Sequence, residues 1–340
     1  MEISVSDPLS EGMTRTGRML FKPFNFAKWC TIGFAAFLSM LGEGGGGNVP
    51  TNFGGGGGGA PPAPRGPGGR GSPAPPNVLD EAWQFFLQHA WWIVPVFFVA
   101  LLLWVGIVWL RARGKFIFLD CVARNHAAIV EPWKRLASVA NSFFRFDLLV
   151  SVLWMALLLA TAAVALTIAM PDIRARTFGT PAITAIVLGG LIVLALTICY
   201  LFIAAIAESF LIPLMYAQSQ PVGPAWQMFR TRILPGHVGI IFVYFLLRGV
   251  LNVAAGMAIG FATCLTCLIA AIPYVGTVMF LPVFVFMRAY SLHFLAQFGP
   301  EYNVLAEVAA PPLAAFPVVF PQPLPPPPLA PPPLPPQQEA

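Results

Sequence analysis

Charge is scarce in this sequence. Of its 340 residues only 10% are charged and 57% are hydrophobic, whereas ordinary soluble domains carry about 25% charged residues. A chain this poor in polar side chains cannot cover a water-facing surface, so most of it must be solvated by lipid. Catalytic motifs are missing as well. There is no HExxH, GxSxG or GxxxxGK[ST], and none of the four histidines (His89, His126, His237, His293) is paired with another at i, i+4. Each reads as an interfacial polar residue rather than a ligand. The net charge of +5 comes from basic residues near the ends of apolar runs, not from a nucleic-acid stripe. Nucleic acid is therefore excluded as a partner, and no cofactor or metal is expected. A cleavable leader is not expected either, because Glu2, Asp7 and Glu11 interrupt the first twenty residues and no A-x-A site follows the first apolar run.

Cysteine is sparse and mostly sits inside apolar runs, where it acts as a small hydrophobe. The five are Cys30, Cys121, Cys199, Cys264 and Cys267. The last two form a lone CxxC with no second ligand pair for zinc, and free thiols are expected there, since that spacing on a helix strains a bridge.

What the chain has in quantity is apolar runs. A spanning helix needs about 20 apolar residues, and six segments meet or approach that length: residues 24–41, 90–110, 148–170, 182–214, 238–269 and 276–298. The last two are separated at "AAIPYVGTV", where Pro273 and Gly276 both break helices. Arg15, Arg18, Lys22, Arg111, Arg113, Lys115, Arg124, Lys134, Arg135, Arg145, Arg230 and Arg232 all fall on one side of such a six-span chain, with Arg288 near the end of the sixth span; Arg65, Arg70, Arg174 and Arg176 fall on the other. The positive-inside rule then puts both termini in the cytoplasm.

Between the first two spans lies "LGEGGGGNVPTNFGGGGGGAPPAPRGPGGRGSPAPP", and after the last comes "PPLAAFPVVFPQPLPPPPLAPPPLPPQQEA". Glycine runs are flexible coil and proline runs are extended, so neither builds a core. Residues 42–77 read as a disordered extracytoplasmic loop, and a variant joining Gly44 to Asn77 is expected to accumulate normally. Residues 306–340 read as a disordered cytoplasmic tail. A protein with an aromatic groove is a partner that such a proline-rich tail would suit.

Three cytoplasmic segments share one apolar spacing: Leu9, Met13, Thr16, Leu20; Ile129, Trp133, Leu136, Ala140; and Val222, Trp226, Phe229, Ile233. That spacing draws one stripe along a helix, which predicts interfacial helices over about 7–21, 127–144 and 221–233, apolar face toward the lipid. Asp7 and Pro8 suit the N-cap and N1 positions of the first. Each helix precedes two spans. The expected fold is thus all-α integral membrane, six transmembrane helices in three parallel repeats. Met13 and Trp133 are 120 positions apart, Trp133 and Trp226 only 93. The excess of 27 is close to the length of the Gly/Pro stretch, which reads as an insertion at a loop tip.

"LFKPFNFAKWCTIGFAAFLSMLGEGGGG", "RGKFIFLDCVARNHAAIVEPWKR" and "IPYVGTVMFLPVFVFMRAYSLHFLAQFGPEY" resemble a family of uncharacterised bacterial polytopic membrane proteins. Its members are often labelled as similar to the membrane domain of glycerophosphoryl diester phosphodiesterases. The resemblance covers about residues 1–305 and implies a bacterial inner-membrane protein. It carries no hydrolase activity, because no stretch here could form the soluble barrel with glutamates and histidines around a metal that such an enzyme needs.

Charge inside a bilayer is costly and often functional, which singles out Arg248 in the fifth span and Glu208 in the fourth. Asn252 lies one turn beyond Arg248 and extends the candidate intramembrane polar site; Asp147 opens the third span, and Lys115 matches Glu208 in the repeat register. One reading of Arg248 with Glu208 is a structural ion pair, the other a site for a lipid headgroup or an ion. Two function classes follow. The first is a non-enzymatic membrane scaffold or lipid-interacting module, with membrane lipids as partners. The second is a transporter or lipid-handling permease. The scarcity of buried charge favours the first.

Overall fold

The structure is a computed structural model that describes residues 3–22, 24–42, 78–175, 177–266 and 272–305. Most of the Gly/Pro stretch, Cys267 and the proline-rich tail lie outside the described residues. Every regular element in the described residues is helical. The helices are α1 (Asp7–Phe21), α2 (Phe26–Met40), α3 (Val78–Arg124), α4 (Val130–Arg135), α5 (Ala137–Ala175) and α6 (Thr180–Ile206). A π turn (Ala207–Leu211) joins α6 to α7 (Ile212–Gln218). Then come α8 (Val222–Met228), which runs into a second π turn (Phe229–Ile233), α9 (Val238–Leu265), α10 (Pro273–Met279) and α11 (Leu281–Ala296).

Local chemistry sets several of these ends. Ser6, not Asp7, occupies the N-cap of α1, and Pro8 sits in its first turn. Asn25 caps α2 by accepting from Lys28 N at 3.1 Å. Asp172, near the end of α5, turns back to accept from Gly179 N and Ala182 N at 2.9 Å each, so one carboxylate closes the hairpin and caps α6.

Among the described residues, four helices are long and apolar enough to cross a membrane: α3 from Gln84, α5, the continuous α6–α7 rod and α9. The apolar runs expected as the first and sixth spans form shorter helices. At 15 and 16 residues, α2 and α11 are about 22–24 Å long, against about 30 Å of hydrocarbon. The run expected over 276–298 is also divided at Phe280 between α10 and α11. Two other boundaries differ from the sequence expectation. α3 does not stop at Leu110 but continues to Arg124, and the helix expected over 127–144 is divided into short α4 and the first turns of α5. Beside that division Arg113 Nη1 donates to the Trp133 carbonyl at 2.9 Å, and Arg113 lies over both Trp109 and Trp133, 5.0 and 5.2 Å from the ring centroids.

Packing is concentrated at one end of the long helices. Every residue of α3 from Arg111 to Ala123 is buried, whereas residues 84–107 expose Trp91, Leu102 and most of their neighbours. The buried part meets Phe143 of α5, Phe210 and Met215 around the π turn, Tyr244 of α9, and Tyr290 and Phe294 of α11 in one core. The same division runs along α5 and α6, whose far halves touch mainly each other, with a Cβ at Gly189 reaching within 3.4 Å of Ala165 Cβ. Helix α1 covers the base. Its buried stripe is Pro8, Gly12, Thr16, Met19 and Leu20, and Gly12 approaches the Tyr290 backbone so closely that a Cβ would lie 3.2 Å from Tyr290 N. That stripe is rotated from the expected Leu9–Met13–Thr16–Leu20 face, and it faces α11 instead of lipid; Met13 is exposed.

Helix α2 runs antiparallel to the buried end of α3. Lys28 Nζ reaches Asn125 Oδ1 at 2.8 Å, Leu38 lies against Gly114, and Gly42 abuts Ile107. Val78 is 29 residues further up α3, roughly 44 Å away along a straight helix. Joining Gly44 to Asn77 leaves four Cα steps, about 14 Å of chain, for that gap. Removal of the tether is therefore expected to strain the start of α3, a local cost that its composition does not show. About six residues at the start of α3 must unwind to close the connection, since each adds about 3.4 Å of reach and removes 1.5 Å of rise. Hydrogen exchange is expected to show protection lost at residues 78–83 in that variant and kept in one retaining a 20-residue glycine-serine linker. Unchanged protection in both means that α2 and α3 do not lie as described.

Candidate functional site

Glu208 stands at the junction between packed and exposed halves, in the π turn where α6 passes into α7. Such turns interrupt regular helix geometry and are frequent at functional sites. Its side chain is 24% exposed and faces two guanidiniums that are almost fully enclosed, Arg248 at 7% and Arg288 at 4%. Arg248 Nη2 lies 3.7 Å from Glu208 Oε2, and Arg288 Nη2 lies 3.8 Å from Oε1. Both distances exceed the 2.7–2.9 Å usual for a charge-assisted hydrogen bond, so these contacts act through charge rather than shared protons. Arg288 also donates to the Glu208 carbonyl oxygen at 3.0 Å and lies over the Phe118 ring.

The rest of the Arg248 shell is aromatic and hydroxylic. Its Nη1 donates to Tyr244 Oη at 2.9 Å, one turn earlier on α9, and to Ser291 Oγ of α11. Tyr244 Oη in turn donates to Ser291 Oγ at 3.0 Å. The Tyr244 ring is sandwiched between Tyr290, at 5.3 Å and 19°, and Phe294, at 4.2 Å and 11°. Two buried hydroxyls beside this group, Tyr290 Oη and Ser209 Oγ, have no hydrogen-bond partner among the described residues. Buried hydroxyls are ordinarily satisfied, so the site has unused hydrogen-bonding capacity.

The structure thus brings Arg248 and Glu208 together and leaves Asn252 outside. Asn252 is half-buried and makes no hydrogen bond to either of them. Arg288, Ser291 and Tyr244 were not singled out by sequence. Arg288 and Ser291 stand at i, i+3 on α11, and Tyr244 and Arg248 at i, i+4 on α9, spacings that place each pair on one helix face and would have pointed to them. Asp147 belongs to a separate pair with Arg111 at 2.5 Å. Lys115, matched to Glu208 by the repeat, is buried in α3.

A second ionic cluster ties α3 to α4 and α7. Asp120 is 2% exposed; its Oδ1 accepts from Tyr216 Oη at 2.6 Å, meets Arg124 Nε at 3.3 Å and pairs with Arg135. Arg124 and Arg135, read from sequence as orientation markers, here bind a buried carboxylate. The histidines are scattered: His89 stacks on Phe85, His237 meets Phe298, and His293 Nδ1 faces Glu11 Oε2 at 2.8 Å. Cys264 is exposed near the end of α9. No group of three His, Cys, Asp or Glu side chains in the described residues is arranged to hold a metal ion.

No curated protein and no solved structure matches this chain. A model of a protein family does match it, over residues 3–284, which takes in the Glu208 and Arg248 positions and ends just short of Arg288. The chain belongs to that family, a family of unknown function (DUF7544).

Proposed function

We propose that this chain is a non-enzymatic, multi-pass protein of the bacterial inner membrane, with both termini cytoplasmic, that serves as a lipid-interacting module or membrane scaffold. The observation that carries this reading is the contrast along α3, α5 and α6. Each is packed at one end around buried ions, while in their most apolar windows no more than 6% of residues are buried by protein. Such surfaces are stable only against lipid or another apolar partner. With basic residues cytoplasmic, the chain makes six passes, α2 and α10–α11 supplying two short ones, in three parallel units of interfacial helix plus two spans. In the scaffold version the proline-rich segment 306–340 offers a polyproline strip to a protein partner. The resemblance to the membrane domain of glycerophosphoryl diester phosphodiesterases suits a lipid-facing role.

Mass spectrometry of protein purified in mild detergent is the test. Co-purifying lipid supports the lipid module, a stoichiometric protein supports the scaffold, and neither at any detergent concentration rejects both. Orientation is checked by thiol labelling of Ser72→Cys and Ser138→Cys, with reaction from outside expected only for the first. Labelling of Ser72→Cys from the cytoplasm alone reverses the topology.

A lipid-handling permease is the second reading. Its support is the short α2 flank, about 8 Å below the hydrocarbon thickness, because a bilayer meets a short helix by thinning. Glu208, partly exposed between Arg248 and Arg288, supplies the polar site. Leaflet-to-leaflet transfer of a labelled lipid in proteoliposomes no faster than in empty liposomes ends this reading.

A further inference from the structure

A cavity of about 460 Å³ lies where α1 crosses the end of α3 and the end of α11; it shares α11 with the Glu208 cluster, but none of its lining residues belongs to that cluster. It is within the range of small-ligand sites. Thr14, Arg15 and Arg18 line it from α1, Asn125 from the end of α3, and His293 from α11.

The cations here are differently occupied. Arg15 closes α3, donating through Nε and Nη2 to Val122 O and through Nη2 to Ala123 O at 2.6–3.3 Å. Those carbonyls are orphans of the helix end, so Arg15 is held in place with Nη1 left over. Burial lowers its pKa from the ordinary arginine value, which reflects a cation with too little solvent around it. Lys28 stands behind the cavity, donating to Met19 O at 3.1 Å and Asn125 Oδ1 at 2.8 Å. That bond orients the Asn125 amide, on a residue in the left-handed region (φ 53°), and leaves its NH₂ group as a donor. Arg18 and Thr14 are exposed and make no hydrogen bond or ion pair among the described residues. Against Arg15, Arg18 and Lys28 the lining holds one carboxylate, Glu11, and it is engaged by His293 at 2.8 Å.

One turn beyond Arg18 the surface becomes aromatic. Phe21, Phe24 and Phe26 are each more than half exposed, and Phe21 and Phe24 pack on Trp29 at 5.4 and 5.5 Å. Exposed aromatics around a tryptophan are characteristic of the membrane interface, and a fixed positive cavity beside them is where a headgroup would sit while its acyl chains run along α2.

We propose that this cavity binds the phosphate of an anionic lipid headgroup, with Arg18, Arg15 Nη1, Thr14 and the Asn125 amide as donors. The proposal rests on the lipid-interacting reading above and names its site and ligand chemistry. The shared chemistry is a phosphate; the adjoining aromatic surface assigns it to lipid rather than to a free phosphate compound.

The test is native mass spectrometry of the full chain in detergent, titrated with phosphatidylglycerol or with phosphatidylcholine, and repeated with inorganic phosphate as competitor. The variants are Arg18→Gln with Thr14→Val, and Lys134→Gln as an exposed control of equal charge change. Wild type is expected to retain phosphatidylglycerol in preference to phosphatidylcholine. The cavity variant should weaken that binding about tenfold, the equivalent of one charge-assisted hydrogen bond, and the control should leave it unchanged. Thermal unfolding is expected to match wild type in both variants, because Arg18 and Thr14 hold nothing in the fold and Lys134 is exposed. Equal losses in the cavity variant and the control, or none in either, overturn the site while the lipid reading stands. Failure of wild type to bind either lipid overturns that reading itself. Displacement of bound lipid by millimolar inorganic phosphate overturns the lipid as source and assigns the cavity to a soluble phosphate.

Discussion

Glu208→Leu is expected to destabilise the folded protein by about 3–5 kcal/mol, the usual cost of breaking a buried ion pair from one side, and by more than Arg248→Leu. The asymmetry follows from the geometry. Glu208 is the carboxylate that both Arg248 and Arg288 approach, at 3.7 and 3.8 Å; its removal sets two enclosed guanidiniums close together with their shared counter-charge gone. Arginine does not shed its proton to escape this. Arg248→Leu removes one cation and two hydrogen bonds, yet Tyr244 keeps its bond to Ser291 and Glu208 keeps Arg288. Loss of those bonds costs about 1–3 kcal/mol.

The pair read from sequence implies that Arg248→Leu with Glu208→Leu restores stability, since apolar replacement of a whole buried pair is often neutral. With Arg288 in the cluster, that double variant is expected to recover only part of the loss, and further recovery requires Arg288→Leu as well. Thermal unfolding of the single, double and triple variants in one detergent measures this. Equal single-variant losses, or full recovery in the double, would show that Arg288 does not share the carboxylate. Strict additivity of Arg248→Leu and Glu208→Leu would show that these two are not partners at all.

Gly114→Val is expected to separate α2 from α3 and to lower the yield of folded protein severely. A Cβ on Gly114 would lie 2.4 Å from the carbonyl carbon of Leu38 and 2.6 Å from Ser39 N. Both are backbone atoms of α2, so no rotamer change relieves the clash, and the two helices must move apart. Overpacking in a tight core costs about 1–3 kcal/mol even where side chains can shift; here the displacement propagates to Ile32, Ala35 and Ala36, which are wholly buried. Gly106→Val is the control, since nothing lies within 4 Å of a Cβ there. Detergent-solubilised yield and thermal unfolding are the readouts. Comparable behaviour of the two variants would mean that α2 does not approach α3 at Gly114.

Much of the candidate site was legible because charge is so rare in the apolar runs. Arg248 and Glu208 stand out against 57% hydrophobic residues, and depth alone suggested them as partners. Arg288 was visible too, but its place near the end of the last run made it an orientation marker. Asn252 was included because it lies one turn from Arg248, yet helix spacing gives only the face of a residue and not which neighbouring helix meets that face. The CxxC and the Gly/Pro stretch are legible as composition only.

The basic cluster Arg111, Arg113 and Lys115 marks the limit most clearly. Hydropathy ends a span where charge begins, which is sound when charges face water. In this fold α3 continues as a helix for another thirteen residues beyond Arg111, and every residue to Ala123 is buried because α2, α5, α7 and α11 close around it. Asp147 of α5 supplies the counter-charge to Arg111, and Arg113 donates to the Trp133 carbonyl and to Asn141 Oδ1. The sequence by itself determined the solvent, the helical class and the two charges worth pairing, because those follow from composition and from the cost of charge in lipid. The tertiary structure alone decided which charges are buried, where α3 ends, and that α1 seats its apolar stripe on α11, because these depend on contacts between segments far apart in the chain, which no local pattern encodes.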